Sequence, residues 1–289
     1  MVNTEYKDRL FKHYFGLEEN KGFLLSLYNA LNDTNYDDLK DLEIYTIDDA
    51  IYMKMKNDVS CIIDNYISLY EQQSTINPNM PIRGLMYFAK MYDKYRVQHE
   101  LNFYSKALQK IPTPSYYVFY NGTNNAPEKT VLKLSDAFMQ PIKDGCFEWT
   151  ATVININKGH NENLIYKCKP LADYCCFVNL VKDNREKHMT LDEAIDNAVD
   201  WCIKNNIMAN YLAMHRAEVK DMFLTEYDEQ ETMRLFKAEY LAEGKAEGLA
   251  EGITKEQRQA ILNMQKAKVP LETICEMYDP KLVHEVLGE

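Results

Sequence analysis

The sequence predicts an α/β fold, and three stretches carry that prediction. Asp58–Ile63 and Tyr66–Tyr70 are both rich in β-branched and apolar residues and flank Asp64-Asn65. That pair tolerates the positive backbone angles of a two-residue hairpin turn. Ile82–Tyr95 has helical periodicity: Leu85, Phe88, Ala89 and Tyr92 form a stripe expected to be buried. Arg83, Tyr87, Lys90 and Lys94 form the opposite stripe. Tyr116–Tyr120 (YYVFY) reads as a strand too aromatic for an exposed edge, ended by Asn121-Gly122.

The remaining elements follow in order. Leu10, Phe11, Tyr14 and Phe15 recur at helical spacing, as do Leu24, Tyr28 and Leu31, and Gly16 and Gly22 bracket a break between the two helices. Leu42–Lys56 alternates, placing a first strand around Ile44–Ile47 or Ile51–Met55. In the hairpin, a loop of Asp64-Asn65 pairs Ile63 with Tyr66, Ile62 with Ile67 and Ser60 with Leu69. Asn77–Pro81 is expected to be loop, because two prolines interrupt it. Val153–Asn157 is a further strand. Leu191–Asn205 and Met208–Phe223 read as helices, the first with Asp192, Glu193 and Asp196 near its positive dipole end.

From Lys237 the composition changes. Gly244, Gly248 and Gly252 repeat every four residues beside Glu243, Glu247 and Glu251. Each Gly costs a helix about 1 kcal/mol against Ala, so residues 237–253 read as a linker or a self-associating helix. Residues 254–289 follow as three short amphipathic pieces broken at Val269-Pro270 and Asp279-Pro280. The expected organisation is a main domain over residues 1–236, this linker, and a small helical tail through which the chain could form a homo-oligomer.

Bulk composition narrows the function classes. The chain has 289 residues, 46% of them hydrophobic, enough for a substantial core. No apolar run approaches the ~20 residues that span a bilayer, and the first residues lack a signal-type apolar segment. The expectation is a cytoplasmic protein with no membrane partner. Seven cysteines without C-x-x-C spacing read as reduced, mostly core thiols. The net charge of −11 argues against a simple nucleic-acid binder. The acid is not confined to the tail: residues 237–289 hold seven Lys and Arg against ten Asp and Glu, leaving −8 for the rest. There is no phosphate-cradling glycine loop, no H-E-x-x-H and no G-x-S-x-G.

One constellation points to chemistry. The expected hairpin register puts Asp58 opposite Glu71, with Cβ atoms roughly 5 Å apart on one face, and Gln73 lies two residues beyond on the same face. Two carboxylates that close repel unless a cation sits between them. A divalent, oxygen-preferring ion, Mg²⁺ or Mn²⁺, suits the pair. The plainer reading is that Asp58 starts a strand and Glu71 ends one, both solvated. Asp8 and Lys12, four apart on the first helix, equally suit a surface ion pair worth under about 0.5 kcal/mol. Arg83, Lys90 and Lys94 suit either phosphate contacts or a solvated helix face. His160, a lone histidine between Gly159 and Asn161, reads as structural.

Asp58 followed by Glu71-x-Gln73 resembles the D…E-x-K signature of the PD-(D/E)XK nuclease superfamily, with Gln where Lys is usual. The resemblance extends through KDRLFKHYFG at Lys7–Gly16, LYEQQSTINPNMPIRGLMYFAKMYDKY at Leu69–Tyr95 and PTPSYYVFYNGT at Pro112–Thr123. It continues through LKLSDAF at Leu132–Phe138, ININKGHN at Ile154–Asn161 and AEGKAEGLAEG at Ala242–Gly252. Together these resemble the recombination-promoting nuclease (Rpn)/putative transposase family of bacteria, over about the first 250 residues. The resemblance implies an αβββαβ nuclease core with added C-terminal helices. It further implies a Mg²⁺- or Mn²⁺-dependent DNA endonuclease tied to recombination or mobile elements. Asp58, Glu71 and Gln73 would be catalytic, Asp58 and Glu71 would hold the metal, and Asp8 would lean toward it through water. Lys12, Arg83, Lys90 and Lys94 would contact DNA. Gln73 can position water but supplies no charge. With the acidic balance, it favours the rival reading: a non-catalytic DNA- or protein-binding module on the same fold.

Overall fold

The computed structural model describes residues 6–46, 59–141, 147–223 and 255–287. It divides into two compact units, Met1–Tyr227 and Asp228–Glu289. The first is an α/β unit built on a mixed six-stranded sheet. Helices α1 (Tyr6–Gly16) and α2 (Lys21–Asn32) lead into β1 (Leu42–Ile44), β2 (Val59–Ile63) and β3 (Tyr66–Gln73). Helix α3 (Met80–Gln98) crosses to β4 (Thr113–Tyr120), followed by β5 (Lys129–Lys133) and β6 (Thr150–Asn155). Helices α4 (Glu162–Lys167), α5 (Lys169–Glu186), α6 (Leu191–Lys204) and α7 (Ala209–Met214) follow, with a further helix over 216–223.

The strand order is β1-β2-β3-β4-β6-β5. The first three strands form an antiparallel meander, β3, β4 and β6 run parallel, and β5 closes the far edge antiparallel to β6. The hairpin keeps the expected register, with Ser60 opposite Leu69, Ile62 opposite Ile67 and Ile63 opposite Tyr66. Asp64 takes the positive φ of 50° that its turn requires. Asp58 lies outside the described residues, as do residues 47–58 in general, so the alternative first strand at Ile51–Met55 falls there too.

Alternation along the strands sorts side chains between two cores. Val59, Cys61, Ile63, Tyr70 and Phe119 pack with Leu10, Phe11, Tyr14 and Phe15 of α1 and with Leu171, Tyr174, Phe177 and Val178 of α5. Ile67, Leu69, Tyr116, Val118 and Ala151 pack on the other face with Tyr87, Phe88 and Met91 of α3. A helix thus covers each face of the sheet, which is why β3 is almost wholly buried. Sequence periodicity singles out neither β5 nor α5. The first is a short edge strand, mostly exposed. The second alternates its buried stripe with Asp173, Asn179, Lys182 and Asp183, which blurs the pattern.

Several expected boundaries move. Helix α3 begins at Met80, with Pro81 in its first turn, where a missing N–H costs no hydrogen bond. Gly22 lies inside α2 rather than at a break. Strand β6 starts earlier than expected, at Thr150. Helix α6 carries a full capping box, Thr190 accepting from the Glu193 N–H and Glu193 accepting from the Thr190 N–H. The helix expected over 208–223 is two pieces, interrupted at His215.

The second unit contains the three pieces expected of the tail. A helix over 255–266 and helices Leu271–Met277 and Pro280–Leu287 meet at Ile261, Ile274 and Val283. The Gly-Glu repeat lies outside the described residues. Both large clusters of the first unit draw on residues no later than Phe223. A chain ending at Phe236 should therefore melt in one cooperative transition. A truncated chain without a transition would show that the main core depends on the tail.

Candidate functional site

Strand β3 presents its polar end on the α3 side. Glu71 continues the stripe of Ile67 and Leu69, so its side chain enters the α3 core, where it is 1% exposed. A carboxylate taken that far from water requires a counter-charge. Arg83, one turn into α3, provides it, its Nη2 lying 3.4 Å from Glu71 Oε1 and donating to the Tyr87 hydroxyl at 3.0 Å. Gly84 permits this approach: a Cβ there would come within 2.6 Å of the Tyr116 ring.

Burial pushes the Glu71 carboxyl above its ordinary range, while Arg83 and the nearby Tyr116 and Tyr87 hydroxyls pull it back. The Tyr116 hydroxyl, buried beside the carboxylate, faces it as a hydrogen-bond donor. Gln73 is on the same face by alternation, half-buried at the end of β3.

The two stripes of α3 are rotated from expectation. The buried positions are Met80, Pro81, Gly84, Tyr87, Phe88 and Met91, while Ala89 is exposed and Leu85 half-buried. Tyr87 and Arg83 therefore turn toward the sheet, drawn by the buried carboxylate of Glu71. Of the expected DNA contacts, Arg83 is engaged by Glu71, and Lys94 lies with its ammonium 4.1 Å from the Tyr45 ring centroid. Lys90 is half-buried and Lys94 exposed. Asp8 and Lys12 are on α1, which packs on the opposite face of the sheet, against Tyr70 and Phe119. The structure thus brings Glu71 and Arg83 into contact and keeps Gln73 on the same face by alternation, while α1, which carries Asp8 and Lys12, packs its apolar stripe on the opposite face. Asp58 lies outside the described residues.

Sequence reasoning missed Arg83 as the partner of Glu71, and Tyr116 as its neighbour. Twelve residues separate Arg83 from Glu71. The signal was available: a carboxylate expected inside a sheet obliges some cation to reach it. Lys7 was missed as well. It is 4% exposed, and its Nζ donates to the Asn121 carbonyl at 2.6 Å and to Asn121 Oδ1 at 2.9 Å. The Asn121 N–H donates to the Gln73 carbonyl, and Gly122 fits only as glycine, because a Cβ would stand 2.1 Å from the Ser74 carbonyl oxygen. The ends of α1, β3 and β4 are thereby tied together. Near them, at the carboxyl ends of β4 and β6, lies a cleft of about 780 Å³ lined by Asn155, Asn157, His160, Lys182 and Trp201 among others.

Burial holds the Lys7 ammonium down, to about 8. The unfolded chain therefore binds more protons between pH 8 and the ordinary value of 10.5. This group makes folding less favourable below that window and relieves the penalty as pH rises through it. Native protein should gain stability relative to Lys7→Met between pH 8 and 10. Parallel pH dependence of the two melting curves would contradict this.

Cys61, Cys168, Cys175 and Cys202 are buried free thiols, in keeping with core cysteines. Among the described residues no group of three His, Cys, Asp or Glu side chains converges as a metal site, and no helix is long and apolar enough to cross a membrane. No family model matches the chain, and neither a curated protein nor a solved structure does.

Proposed function

We propose that this protein is a metal-dependent DNA endonuclease of the PD-(D/E)XK type, with Glu71 and Gln73 at its active site. One observation carries the reading. A glutamate at the end of β3 is fully buried on one face of the sheet, against the Arg83 guanidinium and the Tyr116 and Tyr87 hydroxyls. A buried carboxylate whose pKa is raised by burial and opposed by a specific cation is a candidate functional group. The element order supports it: two helices, a three-stranded meander, a crossover helix and a parallel fourth strand.

The donors present fit Mg²⁺ or Mn²⁺. Glu71 Oε2 and the amide oxygen of Gln73 are hard oxygen ligands on one face, and Asp58 would complete the set. When bound, such an ion supplies Lewis-acid polarisation of a phosphodiester and lowers the pKa of water. The chain's own residues do the rest. Gln73 orients a water by hydrogen bonding, without charge. Arg83, held by Glu71 and Tyr87, would offer its remaining N–H groups to a phosphate oxygen. Lys90 and Lys94 position the DNA backbone along α3.

The rival reading is a DNA- or protein-binding module that retains the fold without catalysis. The Arg83–Glu71 pair favours it specifically, because a cation already satisfies Glu71 Oε1. Supercoiled plasmid incubated with the protein in Mg²⁺ or Mn²⁺ decides between them. Nicked or linear products that disappear with EDTA are expected. Intact plasmid with both metals would leave the binding module.

A further inference from the structure

Positive charge in this acidic chain is concentrated in one stretch. Residues 80–112 hold six Lys and Arg against two Asp and Glu, a balance of +4 within a total of −11. Arg83, Lys90 and Lys94 are seven and four apart along α3 and so share one side of it. That helix, 19 residues long, runs ~28 Å at 1.5 Å per residue. Beyond its end, the segment 99–112 carries Phe103 at 51% exposure, Tyr104 at 100% and Leu108 at 88%. Lys106 and Lys110 alternate with them, both exposed.

The segment is a shaped loop. Asn102 Oδ1 accepts from the Tyr104 N–H, Ser105 Oγ accepts from the Ala107 N–H, and the Ser105 N–H donates to the Asn102 carbonyl. Its end is anchored where the Tyr92 hydroxyl donates to the Pro112 carbonyl. The rings stand exposed in this loop beside lysines, although burying an aromatic side chain is favourable by roughly 1.5–3 kcal/mol. Clustered exposure of that kind marks a contact surface.

We propose that the loop 99–112 is a stacking platform for unpaired bases. Phe103 and Tyr104 offer ring faces to successive bases, and Lys106 and Lys110 take the flanking phosphates. This rests on the nucleic-acid reading above and names its substrate as DNA with a single-stranded segment. Bases inside a duplex have their faces covered by neighbours, so only unstacked bases use such a platform. An anionic membrane fits less well. Inserting Phe103 and Leu108 would drag Asn102, Ser105 and Gln109 out of water, and buried polar groups without partners are costly.

The test is fluorescence anisotropy with the full chain in EDTA, so that binding is read without cleavage. The probes are a ~16-nucleotide single strand, its duplex, and phosphatidylserine vesicles. Native protein should bind the single strand more tightly than the duplex. The double variant Phe103→Ala/Tyr104→Ala should lose about tenfold or more on the single strand and keep its duplex affinity. Lys106→Ala/Lys110→Ala should reduce the single-strand salt slope by about 1.4. A ring variant that binds the single strand like native protein overturns the proposal, as does a native preference for duplex. Binding to vesicles but to neither DNA makes the loop a membrane contact. If native protein cuts plasmid while the ring variant binds single strands unchanged, the platform alone falls. If native protein neither binds nor cuts DNA, the nucleic-acid reading falls with it.

Discussion

Arg83→Met is expected to destabilise the protein by about 2–4 kcal/mol, whereas Glu71→Gln should cost less than about 1 kcal/mol. The asymmetry follows from burial. Glu71 is 1% exposed and cannot recover water when its cation is removed, so an uncompensated charge is left inside. The Arg83 side chain is 32% exposed and can turn to solvent when the carboxylate becomes an amide, which also places its cost below that of a fully buried pair. Chemical denaturation of the two variants reads this directly. The pH dependence follows from the same pair. Glu71 has a folded-state pKa raised above the ordinary 4.5. The folded protein therefore holds this proton more tightly, and the group's contribution to stability declines as pH rises through the window above 4.5. Removing Arg83 removes the main influence that lowers that pKa, so the decline should be steeper and extend to higher pH in Arg83→Met. A silent Arg83→Met would mean that water, not the guanidinium, satisfies the carboxylate.

The second large effect concerns cleavage. Glu71→Gln should reduce metal-dependent cleavage by ~100-fold or more, because it replaces the charged ligand by a neutral one of the same shape. Gln73→Lys should preserve or raise the rate, because it adds a charge to offset that of the developing transition state. Half-burial at the end of β3 gives the longer lysine room to reach solvent. Opposite directions from two changes on one strand face are difficult to obtain from loss of folding. If Gln73→Lys abolished cleavage while Glu71→Gln left it intact, the roles assigned to the two residues would be wrong.

Much of the fold was legible because the sequence patterns were local. The hairpin was fixed by Asp64-Asn65 and the β-branched runs beside it, and its register followed from the turn alone. The tail's three short pieces were marked by the breaks at Val269-Pro270 and Asp279-Pro280, and one residue of each, Ile261, Ile274 and Val283, meets the others. Helix α5 was not legible, since a helix buried against a sheet between two other helices shows no single apolar stripe. The rotation of α3 was hidden for a different reason. Tyr87 and Arg83 look like surface residues by type, and only the demand of Glu71 for a cation, a long-range effect, turns them inward. The shared face of Glu71 and Gln73 was readable from the period of two. Which face of the sheet α1 covers was not, because a helix sequence does not state it.

The most direct test of the central claim is plasmid cleavage by native protein and Glu71→Gln, side by side in Mg²⁺, with melting curves recorded on the same samples. The account predicts that native protein nicks or linearises the plasmid, and that the variant does so ~100-fold more slowly while melting at the native temperature or above. Equal cleavage by the two proteins, or none by either, would contradict it.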